Sequence, residues 1–443
     1  MCGQIFPGFL GISGKTFHLK LLETRILLIL TSLNLLDYLD RYLVAALGSL
    51  IKAEMELSGK AFGFLNTAFL LVYFLTSPVF GYLGDRYGRR LLMAGGAVLW
   101  SLATSLTFWV ASYPALLLTR GLVGVGEASF GTLAPAYLAD VLPLPRRSRS
   151  LGFLYLAIPL GAALAYLVGG FIGKHFGWRP AFLLAGIPGL LLANALRHLP
   201  SPSGDPDIAP EPPPQPYRSP LAAARALWRI PTLRLVTLGY GMLTCALGGL
   251  AFWMPQYLEK AKGLSLAQAN YLLFSAIALA GTLGTLAGGI LGSRLHRLTP
   301  SAPLWVSGLG LILAWPLAAL VILSPRPAVY LPALVAAIFL LFLHPGVLTA
   351  VIVSVAGAGL RAQAVALNII IIHLVGDAPS TFLIGWTADH FGLTRGVALT
   401  LVALALAAAL ILGAIPHLRR DLERVQAPGQ LQRPGALRGP LSG

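Results

Sequence analysis

The chain has 443 residues, 56% of them hydrophobic and only 11% charged, with a mean hydropathy of +0.77. A soluble domain carries about 25% charged residues and a disordered chain is less apolar still, so these values leave a polytopic, all-α membrane protein. The formal charge of +16 lies between long apolar runs rather than on one compact patch, which argues against nucleic-acid binding; two cysteines, Cys2 and Cys245, exclude a disulfide scaffold and a Cys-based zinc site.

A spanning helix needs about 20 mostly apolar residues. Twelve stretches qualify: 25–50, 61–83, 91–111, 115–140, 150–173, 179–199, 231–258, 266–292, 303–323, 328–355, 362–388 and 394–415. The first apolar run is too long and too polar at its centre for a signal peptide and is expected to stay in the mature protein. Pro78, Pro135, Pro159, Pro255, Pro316, Pro345 and Pro379 fall inside spans, where neighbouring helices re-satisfy the freed backbone groups. Residues 200–220 hold nine prolines with Ser, Gly, Asp and Glu, a composition that buries no core and reads as a linker. The expected organisation is a segment 1–24, a six-helix bundle over 25–199, a Pro-rich linker over 200–230, a second six-helix bundle over 231–415 and a tail over 416–443.

If both termini share one side, that side carries 22 of the 32 Lys and Arg, the opposite side eight, and two (Arg41 and Arg120) lie inside spans. Cytoplasmic loops carry the Lys/Arg excess, so both termini, the linker and the tail are expected in the cytoplasm of a multi-pass protein. Compact loops and the preference for Arg fit a bacterial inner membrane.

The halves carry traces of duplication. Gly81-Tyr-Leu-Gly-Asp85-Arg86-Tyr-Gly88-Arg89 follows the second span, and Gly289-Ile-Leu-Gly-Ser293-Arg294-Leu-His-Arg297 follows the eighth; both fit G-x-L-G-x-R-x-x-R. The fifth span ends in His175-Phe176-Gly177 and the eleventh in His390-Phe391-Gly392. An even number of spans per half gives parallel repeats about an axis along the membrane normal, a plan found in transporters with a midplane site.

Gly81 to Arg90 matches the cytoplasmic loop signature of the major facilitator superfamily, and Arg120-Gly-Leu-Val-Gly124 resembles its fourth-helix motif. Four further pieces resemble the Spinster branch: Asn34-Leu-Leu-Asp37-Tyr-Leu-Asp40-Arg41, Gly124-Val-Gly126-Glu127-Ala-Ser129, Ala157-Ile-Pro159-Leu-Gly161 and Gly376-Asp377-Ala-Pro379-Ser380. The resemblance implies a major facilitator fold, alternating access by two rocking bundles, and a cavity lined by spans 1, 4, 7 and 10. It also implies an amphipathic, lipid-like substrate such as a lysophospholipid or sphingoid phosphate, often moved with protons. The antiporter signature of span 5 is partial, because Ile158 stands where a Gly would precede Pro159.

Charge inside a bilayer costs at least about 2.5–3.5 kcal/mol, so each such residue needs a pair, a wet cavity or a neutral form. Span 1 holds Asp37, Asp40 and Arg41, span 4 Arg120 and Glu127, and span 11 His373 and Asp377. Asp37 and Arg41, four apart, can meet on one face, and so can His373 and Asp377. Asp40 is turned about 100° from Arg41 and should look toward another helix. Arg120 and Glu127 lie about 10 Å apart along the axis, too far to pair. Four acids against two arginines leave two carboxylates without a guanidinium, and a carboxylate that alternates between charged and neutral carries a proton; Asp40 and Glu127 are the candidates. The plainer reading is a set of structural ion pairs. Asp37, Arg41, Arg120, His373 and Asp377 are candidates for substrate contact or pairing, with Arg41 or Arg120 holding an anionic head group. Spans 7 and 10 add mostly apolar walls, relieved by Tyr240, Thr244, Trp253, Gln256, His344 and Thr349. Gly81, Asp85, Arg86, Gly88 and Arg89 form a candidate gate: Asp85 can meet the positive end of a helix dipole near Arg361 and close the inside.

No cofactor or metal is expected, the glycine stretches lack the Lys-Ser/Thr ending of a phosphate loop, and a monomer is expected. A broad drug or organic-anion exporter is the close alternative. A multi-span enzyme would need a nucleophile–base or metal constellation that the sequence does not display, and a transport-dead receptor leaves the intramembrane charges without a purpose.

Overall fold

The computed structural model describes residues 14–141, 144–200, 220–356 and 360–426, which are helical with no strand among them. The first half comprises α1 (Gly14–Ala46), α2 (Gly48–Glu54), α3 (Gly59–Tyr87), α4 (Arg89–Leu106), α5 (Tyr113–Val141), α6 (Leu144–Phe176) and α7 (Arg179–Leu196). Residues 201–219 of the expected linker lie outside the described residues, and its last part is instead a helix, α8 (Pro220–Trp228), held on the second half because Ala223 and Leu227 are buried there. Then come α9 (Pro231–Lys262), α10 (Leu266–Ala276), α11 (Thr282–His296), α12 (Ala302–Leu323), α13 (Pro327–Leu341), α14 (Pro345–Ala356), α15 (Arg361–Ile371), α16 (Ala378–Phe391), α17 (Leu393–Gly413) and α18 (Ile415–Gln426). Every predicted span falls on one helix or on two joined end to end. Among the described residues ten helical stretches are long and apolar enough to cross a membrane, and the remaining two of the twelve, α1 and α5, are those carrying Asp37, Asp40, Arg41, Arg120 and Glu127.

In the second half, the eighth, tenth and eleventh spans are interrupted for local reasons. Pro345 has no N–H to give to the carbonyl of Leu341, and the tenth span breaks between α13 and α14 at Phe342–His344. The eighth and eleventh spans each contain a π-helical turn, Ile277–Gly281 and Ile372–Asp377, the second running directly into Ala378-Pro379. Such turns insert a residue into the ladder and are frequent at functional sites.

Within a bilayer, small residues let backbones approach, because lipid tails compete as well as Leu for apolar contact. In the first half α1 packs on α6 and α7, and α5 on α3 and α4. A Cβ on Gly126 would collide with the Gly96 carbonyl and Trp100 of α4, and one on Gly124 with the Phe69 carbonyl of α3. The glycine stretch of span 4 is thus a packing surface on two sides. In the second half Gly284 and Gly288 lie against the Phe339 and Leu343 backbones in the same manner. The duplication is visible in these contacts: Gly84 of α3 abuts Leu133 of α5, and its counterpart Gly292 of α11 abuts Val347 of α14. The paired His-Phe-Gly endings turn alike, with φ of 79° at Gly177 and 89° at Gly392, a region only glycine enters without strain.

Hydrogen bonds joining the halves gather at the end away from the linker. The Gly59 and Lys60 N–H groups, at the start of α3, donate to Asp389 Oδ1 and Oδ2 of α16 at 2.6 and 2.7 Å. Asn270 Nδ2 donates to the Ala46 carbonyl at 2.9 Å, Ser49 Oγ to Glu259 at 3.0 Å, and Thr67 Oγ1 to the Ala378 carbonyl at 2.5 Å. At the linker end Asp421 of α18 accepts from the Thr232 N–H at 3.0 Å, capping α9. Between the halves lies a central cavity.

Candidate functional site

The cavity holds about 580 Å³ and is lined by both halves. From the first half come Asn34, Asp37, Tyr38, Arg41 and Tyr42 of α1, Asn66, Phe69 and Tyr73 of α3, and Tyr155, Ile158, Pro159 and Tyr166 of α6. The second half supplies Tyr240 and Thr244 of α9, His344, Pro345 and Thr349 around the break in span 10, and Asn368, His373 and Asp377 of span 11. Most of the remaining wall is apolar.

Arg41 is the centre of the first wall. Its Nε donates to Glu127 Oε2 at 2.7 Å and its Nη2 lies 3.2 Å from Asp37 Oδ2. The guanidinium carbon sits 4.8, 5.4 and 4.8 Å from the ring centres of Tyr38, Phe69 and Tyr73, so aromatic faces complete its coordination. The expectation that Glu127 lacks a guanidinium is therefore corrected: an acid of α5 and one of α1 share Arg41. Two carboxylates against one guanidinium leave one negative charge uncompensated when both are ionised. Glu127 is fully buried and its Oε1 has no partner.

Arg120 stands apart. Its Nη2 lies 3.1 Å from Asp40 Oδ2 and 3.3 Å from Oδ1, both residues are almost wholly buried, and neither lines the cavity. Asp40 does look toward another helix, as its position on the α1 wheel requires. Of the two arginines considered for a head group, only Arg41 reaches the cavity. On the opposite wall His373 Nδ1 lies 3.1 Å from both Asp377 oxygens, and the pair is more accessible than Asp40–Arg120 at 22% and 20% exposure. The His373 ring faces Tyr73 of the first half at 6.2 Å.

Tyr240, Thr244, His344 and Thr349 line the cavity as expected, while Trp253 and Gln256 do not. Both are buried where the halves close; Trp253 Nε1 donates to the Thr381 carbonyl at 2.9 Å. Their place follows from α9 running past the cavity into the closed end. Within the expected gate, Gly81 lies in α3, Gly88 turns the chain into α4 with φ 88°, and Arg89 starts α4. The side chains of Asp85, Arg86 and Arg361 lie outside the described residues. Sequence reasoning missed Asn66, Tyr73 and Asn368, which spans 2 and 11 bring to the wall. A polar residue in an apolar span was the available signal for the two asparagines.

The model of the Major Facilitator Superfamily matches residues 30–376. Protein spinster homolog 1 of Xenopus tropicalis is 35% identical over 393 residues, covering 82% of this chain and 73% of that protein. Its Homo sapiens counterpart is 34% identical over 385 residues with the same coverage. The chain belongs to the Spinster branch of the major facilitator superfamily. Among solved structures, a bacterial homolog to the human lysosomal transporter Spinster, inward-facing and unoccupied, superposes with a TM-score of 0.81 at 23% identity over 90% of this chain and 98% of that one. A D-xylose-proton symporter gives 0.69 at 17% identity, over 89% of this chain and 97% of that one. This Spinster-type chain is a multi-pass transporter, not an enzyme, and its central cavity lies between the two halves of the fold.

Proposed function

We propose that the chain is a proton-coupled transporter of an amphipathic anion such as a lysophospholipid or sphingoid phosphate. The observation that carries this reading is Arg41: the cavity's guanidinium, set in a largely apolar wall and shared by Asp37 and Glu127. An anionic head group competes with those carboxylates for the guanidinium. Protonating one of them makes the trio neutral and frees donor N–H groups for the head group, so proton and anion favour each other's binding. Of the two acids expected to carry the proton, Asp40 has both oxygens held by Arg120, whereas Glu127 keeps an unpartnered Oε1. Coupling therefore falls to Glu127 with Asp37, and Asp40 secures α1 to α5. The remaining apolar wall takes an acyl chain. With the linker and termini in the cytoplasm of a bacterial inner membrane, the closed end faces out and the cavity opens inward; the chain works as a monomer.

The test is uptake of labelled lysolipids and sphingoid phosphates into proteoliposomes, with and without a pH gradient. Accumulation that follows the gradient is expected. Absence of competition by any lysolipid would remove the substrate class, and uptake indifferent to the gradient would remove the coupling.

A further inference from the structure

The second-half wall contains a hydrogen-bonding group with nothing to bond. Asn368 of α15 is 5% exposed, lines the cavity, and its Oδ1 has no partner in the protein. Most buried polar atoms are satisfied, so a buried amide oxygen left without a partner in a cavity-lining side chain is an acceptor that the protein itself does not serve. His344, also 5% exposed, lines the same cavity. Its Nδ1 lies 2.6 Å from the Leu341 carbonyl, one of the acceptors that the break before Pro345 sets free. A carbonyl only accepts, so Nδ1 carries the hydrogen, and with that hydrogen alone on the ring Nε2 is a lone-pair acceptor. The Tyr240 ring packs edge-on at 5.1 Å and holds that imidazole in place. Arg41, on the other half, is purely a donor.

We propose that Asn368 and His344 form an acceptor subsite that takes the free hydroxyl of the substrate's backbone, while Arg41 takes its anionic head. This rests on the substrate class proposed above and sharpens it: the protein distinguishes a lysolipid from an otherwise identical molecule lacking the hydroxyl. The physical lever is asymmetric. A site built to hydrogen-bond a hydroxyl rejects the analogue without it, because its own acceptor is left unpaired and dry.

The experiment measures binding of a lysophosphatidate and of its deoxy analogue, equal in chain length and charge, to the purified transporter. Wild type is expected to prefer the hydroxyl compound by about ten- to a hundredfold. Asn368→Leu is expected to shrink the preference to a few-fold, mainly by binding the deoxy compound better, and His344→Phe, which retains a ring against Tyr240, to shrink it in part. A gain in affinity for the deoxy compound cannot come from a misfolded protein, so it separates recognition from lost structure. Equal binding of both compounds by wild type, or an undiminished preference in Asn368→Leu, overturns this subsite alone. Failure of both compounds to bind wild type overturns the subsite and the substrate class together.

Discussion

The two halves repeat one backbone plan and divide the chemistry. Gly84 and Gly292 pack alike, and Gly177 and Gly392 turn alike. Their walls differ: the first half holds Asp37–Arg41–Glu127 and Asp40–Arg120, while the second faces the cavity with His344, Asn368 and the His373–Asp377 pair. Backbone approach depends on small residues, so duplication preserves it wherever glycine persists. Buried charge depends on partners from two helices at once, so a copy loses it as soon as one partner changes. Among the described residues, the arginine-centred charge clusters within the spans thus sit in the first half alone, while the second half's cavity wall carries His344, Asn368 and a single carboxylate beside a histidine.

The difference between Arg41 and Arg120 breaks most visibly on truncation. Arg120→Ala strands Asp40 in a dry site, and removing one partner of a buried pair costs about 3–5 kcal/mol. A large drop in melting temperature in detergent is expected. The double change Arg120→Leu with Asp40→Leu should restore most of it, since packed apolar residues replace a buried pair well. A single variant that melts like wild type would move Arg120 to a wet wall.

Coupling separates the two acids next. Glu127→Gln fixes the Arg41 trio in its neutral form, so accumulation driven by a pH gradient should vanish while counterflow persists. Asp40→Asn, inside a structural pair, should lower both activities together through stability. Gradient-driven uptake surviving intact in Glu127→Gln would sink its role.

The spans and the repeat were legible in the sequence because hydropathy and glycine spacing are local properties. So were the pairs Asp37–Arg41 and His373–Asp377, which lie one helical turn apart. The bond from Arg41 to Glu127 was not, because a sequence gives rotation within a helix but not the neighbour each face meets. Four acids against two arginines suggested two carboxylates without a guanidinium; the structure shares one guanidinium and leaves Asp377 to His373. The π-helical turns gave no sequence signal either. The break beside His344 was not legible either, since hydropathy gives one continuous span over 328–355 that tolerates Pro345; and Trp253 and Gln256 were placed in the cavity because the helix wheel says nothing about depth along α9.

The contrast between the halves also holds where they meet. Asp389 offers both carboxylate oxygens to the first N–H groups of α3, a charge-assisted cap that a neutral amide serves poorly. Asp389→Asn should weaken the closed end by up to about 2 kcal/mol, enough to shift a near-balanced equilibrium. Distances between labels on the 55–58 and 263–265 turns should lengthen in part of the population. Unchanged distances would leave the Thr67 and Asn270 bonds as the sufficient closure.

The smallest effect lies within the first half at the same end, where charge is wet rather than buried. Glu54, ending α2, pairs with Arg179 and accepts from Trp178 Nε1 at 2.6 Å. Arg179 also reaches the Val110 carbonyl at 3.0 Å and lies over the Trp178 ring at 4.3 Å, so the pair ties α2 to the start of α7. The hydrogen bond from Arg179 holds the Glu54 carboxyl below the ordinary glutamate value of 4.5. A depressed folded-state value means the stabilisation is fully present above the unfolded value and is lost as pH falls through the folded one. Glu54 is half exposed, so solvent screening limits the pair to a few tenths to about 1 kcal/mol. Glu54→Gln should therefore melt slightly below wild type at pH 7, and the gap should close as the pH drops below about 4. High salt should narrow it as well, whereas the same salt should leave the penalty of Arg120→Ala unchanged, because screening ions do not reach a dry pair. A Glu54→Gln penalty as large and as salt-insensitive as that of Arg120→Ala would erase the distinction between wet and buried charge on which the division of the first half rests.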